Sequence, residues 1–220
     1  PVPDDCRPES CPVPMFELPT DPLQGSGVRI TAFEVLDLHQ DGDLDILSLR
    51  KTVNRNHVTS ISGQLWFRDG RGFGQASLDR SFDSPVGCIR AADFNRDGRV
   101  DVVLASETKV YLMTQTDSPA MQDNIFSSLL PLAAVANVRD IQVGDMDNAG
   151  DLDLVLGLGP DVDGYDGLNA AEAQTPAANR DWGVRILLNQ GSGQFVDSGF
   201  RFNPTEYTPH IALGDVDRDG

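Results

Sequence analysis

The stretch Asp93-Phe-Asn-Arg-Asp-Gly-Arg-Val-Asp101, followed by the apolar run Val102-Val-Leu104, decides the fold of this chain. It carries oxygen-bearing side chains at its positions 1, 3, 5 and 9, and a glycine at position 6. Variants of this pattern, each with one of those side chains replaced, begin at Asp37 and at Asp145, and a cut-off copy begins at Asp215. One acidic loop therefore recurs along the chain, and each complete copy precedes a short apolar run.

These copies are named loop 1 (37–45), loop 2 (93–101), loop 3 (145–153) and loop 4 (215–220). Calcium takes roughly six to eight oxygen ligands, and loops with acceptors at positions 1, 3 and 5, glycine at 6 and a backbone carbonyl at 7 suit it. Carboxylates held this close repel one another unless a cation lies among them. A solvated acidic turn is the alternative for any single loop, but the repetition favours calcium.

The predicted ligand sets differ in completeness. Loop 2 is complete, whereas loop 1 has an imidazole at position 3 and loop 3 has Ala149 at position 5, which makes loop 3 the weakest or an empty site. Loop 4 lacks positions 7 and 9. The side chains predicted to hold metal are Asp37, His39, Asp41 and Asp45 in loop 1, Asp93, Asn95, Asp97 and Asp101 in loop 2, Asp145, Asp147 and Asp153 in loop 3, and Asp215, Asp217 and Asp219 in loop 4.

An EF-hand is the competing interpretation of such loops, and the sequence argues against it. An EF-hand loop needs a bidentate glutamate at position 12, where this chain has Ser48, Leu104 or Leu156. It also needs flanking helices, but the loops run into short apolar segments typical of buried strands. The loops are therefore predicted to lie between strands.

The spacing of the loops predicts the architecture. They begin 56, 52 and 70 residues apart, and periods of roughly 40–50 residues or somewhat longer with many short strands are typical of four-stranded propeller blades. Val28–Leu36, Gln64–Phe67, Val110–Met113 and Val184–Leu188 are strand-like. We predict an all-β chain of antiparallel four-stranded blades, with 118–132 irregular and containing a short helical turn.

The loops, together with the N-x-G-x-G-x-F hairpin at Asn189, Gly191, Gly193 and Phe195, resemble the FG-GAP/VCBS repeats that form the β-propeller in the head of integrin α subunits. The resemblance covers roughly residues 28–220. It implies Ca²⁺ bound between the first two strands of a blade, blades arranged around an axis, and backbone ligands at position 7. Those position-7 residues are Asp43, Arg99 and Asp151.

The expected organisation is a Pro-rich N-terminal arm (1–27) followed by a propeller segment (28–220). The blades are expected at about 28–84, 85–135 and 136–205, with a partial blade at 206–220. About three blades and one leading strand form an incomplete ring, because propellers usually have four to eight blades. We therefore expect a fragment of a larger protein, with a three-repeat solenoid as the alternative.

Three other features leave alternatives open. Cys6 and Cys11 in the arm form a small disulfide loop or remain free thiols, while Cys88 is expected to be a buried apolar residue. The insertion 157–182 is a cation-binding or partner-binding loop, or a solvated acidic loop. The aromatic residues Trp66, Tyr165 and Trp182 are packing residues or a sugar platform.

The composition fits a secreted calcium-binding protein. The formal net charge is −17, and 28 of the 34 acidic residues are aspartate, the short carboxylate favoured in ligand loops. Such acidity argues against nucleic acid or an anionic membrane as partner, and no run reaches transmembrane length. No catalytic motif stands out.

We therefore expect a binding, adhesion or assembly module that is secreted, on the cell surface or periplasmic. Its partner would be a protein or carbohydrate, or the remainder of a propeller or larger assembly. The alternative is the scaffold of an extracellular lyase, hydrolase or lectin.

Overall fold

The computed structural model describes residues 27–53, 59–68, 73–78, 86–106, 108–116, 125–159, 182–203, 208 and 210–214. Within them the chain is all-β, as predicted, and contains no helix. Hence no helix in this described part could cross a membrane. The predictions for the arm and its two cysteines, for Tyr165 and most of the insertion, for the side chain of Trp66, and for Asp215, Asp217 and Asp219 lie outside the described residues.

In the part of the chain that the structure describes, twelve strands form three antiparallel sheets, each of which follows the chain order. Sheet 1 contains β1 (Gly27–Leu36), β2 (Asp45–Val53), β3 (Thr59–Arg68) and β4 (Phe73–Leu78). Sheet 2 contains β5 (Val86–Ala92), β6 (Asp101–Ser106), β7 (Val110–Met113) and β8 (Leu130–Ala133). Sheet 3 contains β9 (Val138–Gly144), β10 (Asp153–Leu158), β11 (Gly183–Asn189) and β12 (Phe195–Phe202).

The first strands of consecutive sheets contact one another, β1 with β5 and β5 with β9. Loops 1, 2 and 3 each connect the first and second strands of a sheet. This shared connection brings the three loops to the same end of the stacked sheets. The topology therefore places all three complete loops in one row.

The inner strands β6 and β7 of sheet 2 are buried at every position, which explains the uninterrupted apolar run of β6. Val102 and Leu104 pack into the core shared with sheet 1, whereas Val103 and Ala105 pack into the core shared with sheet 3. Successive side chains of a strand point to opposite faces, so a strand covered on both sides needs an apolar residue at every position. Every residue of β6 is buried.

The prediction that residues 118–132 are irregular is wrong at the C-terminal end of this stretch. Leu130–Ala133 is the outer strand of sheet 2, paired with β7. Pro131 lies within it, and proline is tolerated at a sheet edge because the missing N–H faces away from the neighbouring strand. Proline and the absence of a glycine hairpin hid this strand from sequence patterns.

Charged residues also join the first strands. The guanidinium of Arg90 on β5 lies 3.0 Å from Asp140 on β9 and 3.8 Å from Glu34 on β1. Burial raises the pKa of Glu34, against the opposing influence of Arg90. One arginine therefore bridges acidic groups of both neighbouring sheets.

Candidate metal centre

The three loops have the same backbone conformation. The residue at position 4 is left-handed in each, with φ of 55° at Gln40, 60° at Arg96 and 57° at Asn148. The glycine at position 6 has φ of 86°, 83° and 86° in the same order. Non-glycine residues rarely adopt positive φ, and at position 6 glycine does so without strain. The positive φ at position 4 and at position 6 is thus a feature of the repeat rather than of one loop.

The aspartate at position 1 organises each loop by accepting backbone N–H groups. One of its oxygens accepts the N–H of the position-6 glycine, at 3.0 Å in loop 1, 2.9 Å in loop 2 and 2.7 Å in loop 3. In loops 1 and 2 its other oxygen accepts the position-5 N–H at 3.2 Å. These bonds hold the turn around the first predicted ligand.

The aspartate at position 9 is the buried anchor of each loop, at most 1% exposed in all three. Its Oδ2 accepts the N–H of position 2, at 3.0 Å for Asp45, 3.1 Å for Asp101 and 2.7 Å for Asp153. In loops 2 and 3 its Oδ1 also accepts an N–H just after the third strand or at its end. Position 9 therefore serves the backbone as well as any cation.

Burial has an electrostatic consequence at Asp101. Desolvation raises the pKa of this carboxyl to about 6, and the charges of Asp97 and Asp93 act in the same direction. Hydrogen bonds from the backbone of Gln115 and Phe94 oppose the rise. A cation beside the carboxylate would favour its ionised form.

Loop 3 brings three predicted ligands together. One carboxylate oxygen each from Asp145, Asp147 and Asp153 lies within 4.8 Å of the others. Two of the three residues are exposed and the third is buried, so the group opens to solvent on one side. Such a triad could hold a metal ion, and its hard oxygen donors suit Ca²⁺.

In loop 2 the position-5 carboxylate is engaged by a neighbour. Oδ2 of Asp97 accepts hydrogen bonds from Arg99 at 2.8 Å and from the Asn95 amide at 3.0 Å. Arg99 thus places a positive charge beside the ligand set that appeared complete in the sequence. Loop 2 does have oxygen-bearing side chains at all four positions, but the Asp97 carboxylate is bound to the Arg99 guanidinium.

Loop 1 replaces the position-3 oxygen with a ring nitrogen. Nδ1 of His39 lies 3.2 Å from Oδ2 of Asp45. The remaining side chains, Asp37 and Asp41, accept N–H groups of their own loop. Among the described residues, the compact group of three acids occurs in loop 3 and not in loops 1 and 2.

Sequence reasoning missed two residues that touch this region. Gln115 lies two residues beyond β7, and Asn189 was noted only as part of a hairpin. Both carry side-chain amides that contact the loop of the preceding sheet. Their position just after or at the end of the third strand of a repeat is the signal that could have drawn attention to them.

Comparison with known families fits this geometry. A family model described as an FG-GAP-like repeat matches residues 93–156, which run from the start of loop 2 into β10. Residues 93–156 are therefore similar to an FG-GAP-like repeat. This confirms the resemblance stated above, over a stretch that contains loops 2 and 3. No curated protein and no solved structure matches the chain.

Proposed function

We propose that this chain is a calcium-stabilised β-propeller segment of a secreted or cell-surface protein, acting as a binding or adhesion module. The main support is the carboxylate triad of loop 3, whose three aspartates lie close together on a loop with the same backbone conformation as loops 1 and 2. FG-GAP-like repeats are typical of extracellular proteins, which supports the proposed location. A protein or carbohydrate is the proposed partner.

The proposed ligands in loop 3 are the side chains of Asp145, Asp147 and Asp153 and the backbone carbonyl of Asp151. Ca²⁺ would supply the positive charge that offsets the repulsion among these carboxylates. The chain's own contribution is to hold position 1 and position 9 in place through backbone hydrogen bonds. Calcium here is a structural ion.

Thermal unfolding with and without calcium tests the proposal. A site whose ion is present at ten times its dissociation constant adds about 1.4 kcal/mol of stability by mass action. We expect a chelator to lower the melting temperature and added Ca²⁺ to restore it. A melting temperature that stays the same in both conditions would contradict structural calcium.

A matched pair of variants assigns the effect to loop 3. Asp147→Asn replaces a proposed carboxylate ligand with a neutral amide, whereas Asp151→Asn removes the same charge from a residue that would offer the ion only its backbone carbonyl. We expect calcium to stabilise Asp147→Asn less than Asp151→Asn, by differential scanning fluorimetry. Binding function is tested separately, with a glycan array and with purified candidate extracellular proteins on a biosensor.

A further inference from the structure

Asn189 connects loop 3 to loop 2. Its backbone N–H donates to Oδ1 of Asp153 at 2.8 Å, while its side-chain Nδ2 donates to the carbonyl of Phe94 at 2.8 Å and to that of Leu152 at 3.2 Å. Asn189 is only 2% exposed, so these bonds are shielded from water. Asn189 therefore contacts position 9 of the loop in its own sheet and position 2 of the loop in the preceding sheet.

Gln115 makes the same connection one sheet earlier. Its backbone N–H donates to Oδ1 of Asp101 at 2.9 Å, and its side-chain Nε2 donates to the carbonyl of Leu38 in loop 1 at 3.0 Å. Its Oε1 accepts the N–H of Val100 in loop 2 at 3.0 Å. Gln115 and Asn189 thus have equivalent roles although their side chains differ in length.

The position-2 residues of loops 1 and 2, Leu38 and Phe94, complete a continuous series of hydrogen bonds. The N–H of each donates to the position-9 aspartate of its loop, and its carbonyl accepts a hydrogen bond from a side-chain amide of the next sheet. The series links the three buried aspartates in the order Asp153, Asn189, Phe94, Asp101, Gln115, Leu38 and Asp45.

A second line of contacts runs in parallel through position 4. The side chain of Gln40 donates to the carbonyl of Gly98 in loop 2. Arg96 of loop 2 lies 3.0 Å from Oδ1 of Asp151 in loop 3. Consecutive loops are therefore linked both directly through position 4 and indirectly through Gln115 or Asn189, but only the amide series reaches the buried anchors.

We propose that Gln115 and Asn189 are positioning residues that couple the loops, so that a cation bound at one loop raises the affinity of the next. This inference rests on the proposed cation binding. Ordering loop 1 fixes the Leu38 carbonyl, which fixes the Gln115 amide and thereby the carboxylate of Asp101. A second ion then binds to a loop that is already partly ordered, so its binding costs less conformational entropy.

A double-mutant cycle on loops 1 and 2 tests the coupling. Asp41→Ala removes an exposed ligand of loop 1 outside the amide series, and Gln115→Met replaces the amide by an apolar group of similar shape. The readout is the amide resonance of Gly98 in the ¹⁵N-labelled chain during a Ca²⁺ titration at about 0.15 M salt, where direct charge effects between loops are screened.

With Gln115 present, Asp41→Ala should weaken calcium binding at loop 2 by about threefold or more, the range of measured coupling through packed networks. In the Gln115→Met background that loss should nearly vanish. An equal loss in both backgrounds overturns the proposal. Gln142→Met is the matched control, because the Gln142 amide donates to Asp140 on its own strand, and it should preserve the loss.

Hydrogen exchange gives a readout without calcium. Loss of the Gln115 amide should speed exchange of the Leu38 N–H by about fivefold, the equivalent of one hydrogen bond, while the Met146 N–H in loop 3 keeps its rate. Unchanged exchange at Leu38 also overturns the proposal. If Gly98 never responds to Ca²⁺, yet Leu38 exchange rises, the proposed calcium function fails and the positioning role alone stands.

The cycle can be repeated on loops 2 and 3, so the result does not depend on one variant folding. There Asn189→Ala removes the amide and Asp147→Ala removes an exposed ligand of loop 3. The same Gly98 resonance reports loop 2. Asp147→Ala should weaken loop 2 about threefold or more only while Asn189 is present, and an equal loss in both backgrounds counts against coupling.

Discussion

Loop 2 and loop 3 share one backbone but use their side chains differently. Loop 2 has an oxygen-bearing side chain at all four expected positions, yet its position-5 carboxylate is bound to Arg99. Loop 3 lacks that carboxylate because it has Ala149, yet its three remaining aspartates converge within 4.8 Å. The number of ligand residues in a motif therefore does not measure how well they are arranged, since a neighbouring arginine can compete for one of them.

The largest expected effect concerns what the two loops share. Asp101→Ala and Asp153→Ala should each lower the free energy of unfolding in chelator by about 3 kcal/mol. Each change leaves two backbone N–H groups without an acceptor, and a buried donor without a partner costs roughly 1–3 kcal/mol. Urea denaturation measures this. Asp147→Ala, at an exposed position, is the control and should stay within about 0.5 kcal/mol. A clear difference between the two anchors would break the equivalence of the loops.

Restoring the missing ligand should strengthen calcium binding at loop 3. Ala149→Asp adds a carboxylate at position 5, and calcium loops tune their affinity by ligand charge. We expect calcium affinity at loop 3 to rise about tenfold, which is about 1.4 kcal/mol, as measured by the Gly150 amide resonance during titration. Ala149→Ser, which adds a smaller neutral oxygen, should give a smaller gain. No gain with aspartate would mean that position 5 faces away from the ion.

Removing one ligand from each loop compares the two arrangements directly. The sequence ranks loop 2 as the better site and so predicts that Asp97→Ala is the more damaging change. The structure favours the reverse, because Asp147 belongs to the converged group and Asp97 is already held by Arg99. We expect Asp147→Ala to lower the calcium affinity of its loop about fivefold more than Asp97→Ala, or about 1 kcal/mol. The opposite order would support the ranking from the sequence.

The smallest effect should come from releasing Asp97. Arg99→Ala removes the 2.8 Å contact with its carboxylate, and exposed ion pairs contribute roughly 0.2–1 kcal/mol. Calcium affinity at loop 2 should rise about twofold by isothermal titration calorimetry. Arg99→Lys retains the charge and should give less. Weaker binding in Arg99→Ala would indicate that the arginine supports the loop.

The backbone of the site could be predicted from the sequence because it depends on neighbours in the chain. The glycine at position 6 and the aspartate at position 1 are five residues apart, and their hydrogen bond recurs in all three loops. The run Val102-Val103-Leu104 likewise predicted a buried strand, which is β6. Local spacing was sufficient for both.

The connections between loops could not be predicted in this way. Asn189 donates to Phe94, which lies 95 residues earlier, and Gln115 donates to Leu38, 77 residues earlier. The two partners of each pair are far apart in the sequence, and one repeat uses glutamine where the other uses asparagine. The side-chain orientation of Asp97 was equally inaccessible, since it depends on which of several partners the carboxylate meets in three dimensions.

Gly193 lies in the hairpin between β11 and β12, with φ of 71°. A Cβ atom added there would lie 2.9 Å from the Leu112 side chain of sheet 2, and Phe195 of the same hairpin packs edge-on against Phe94, with ring centroids 5.9 Å apart. The hairpin motif thus encodes the spacing between adjacent repeats as much as the shape of a turn. A duplicated copy of such a repeat would carry its own stacking surface, so an array could lengthen by duplication without evolving a new interface.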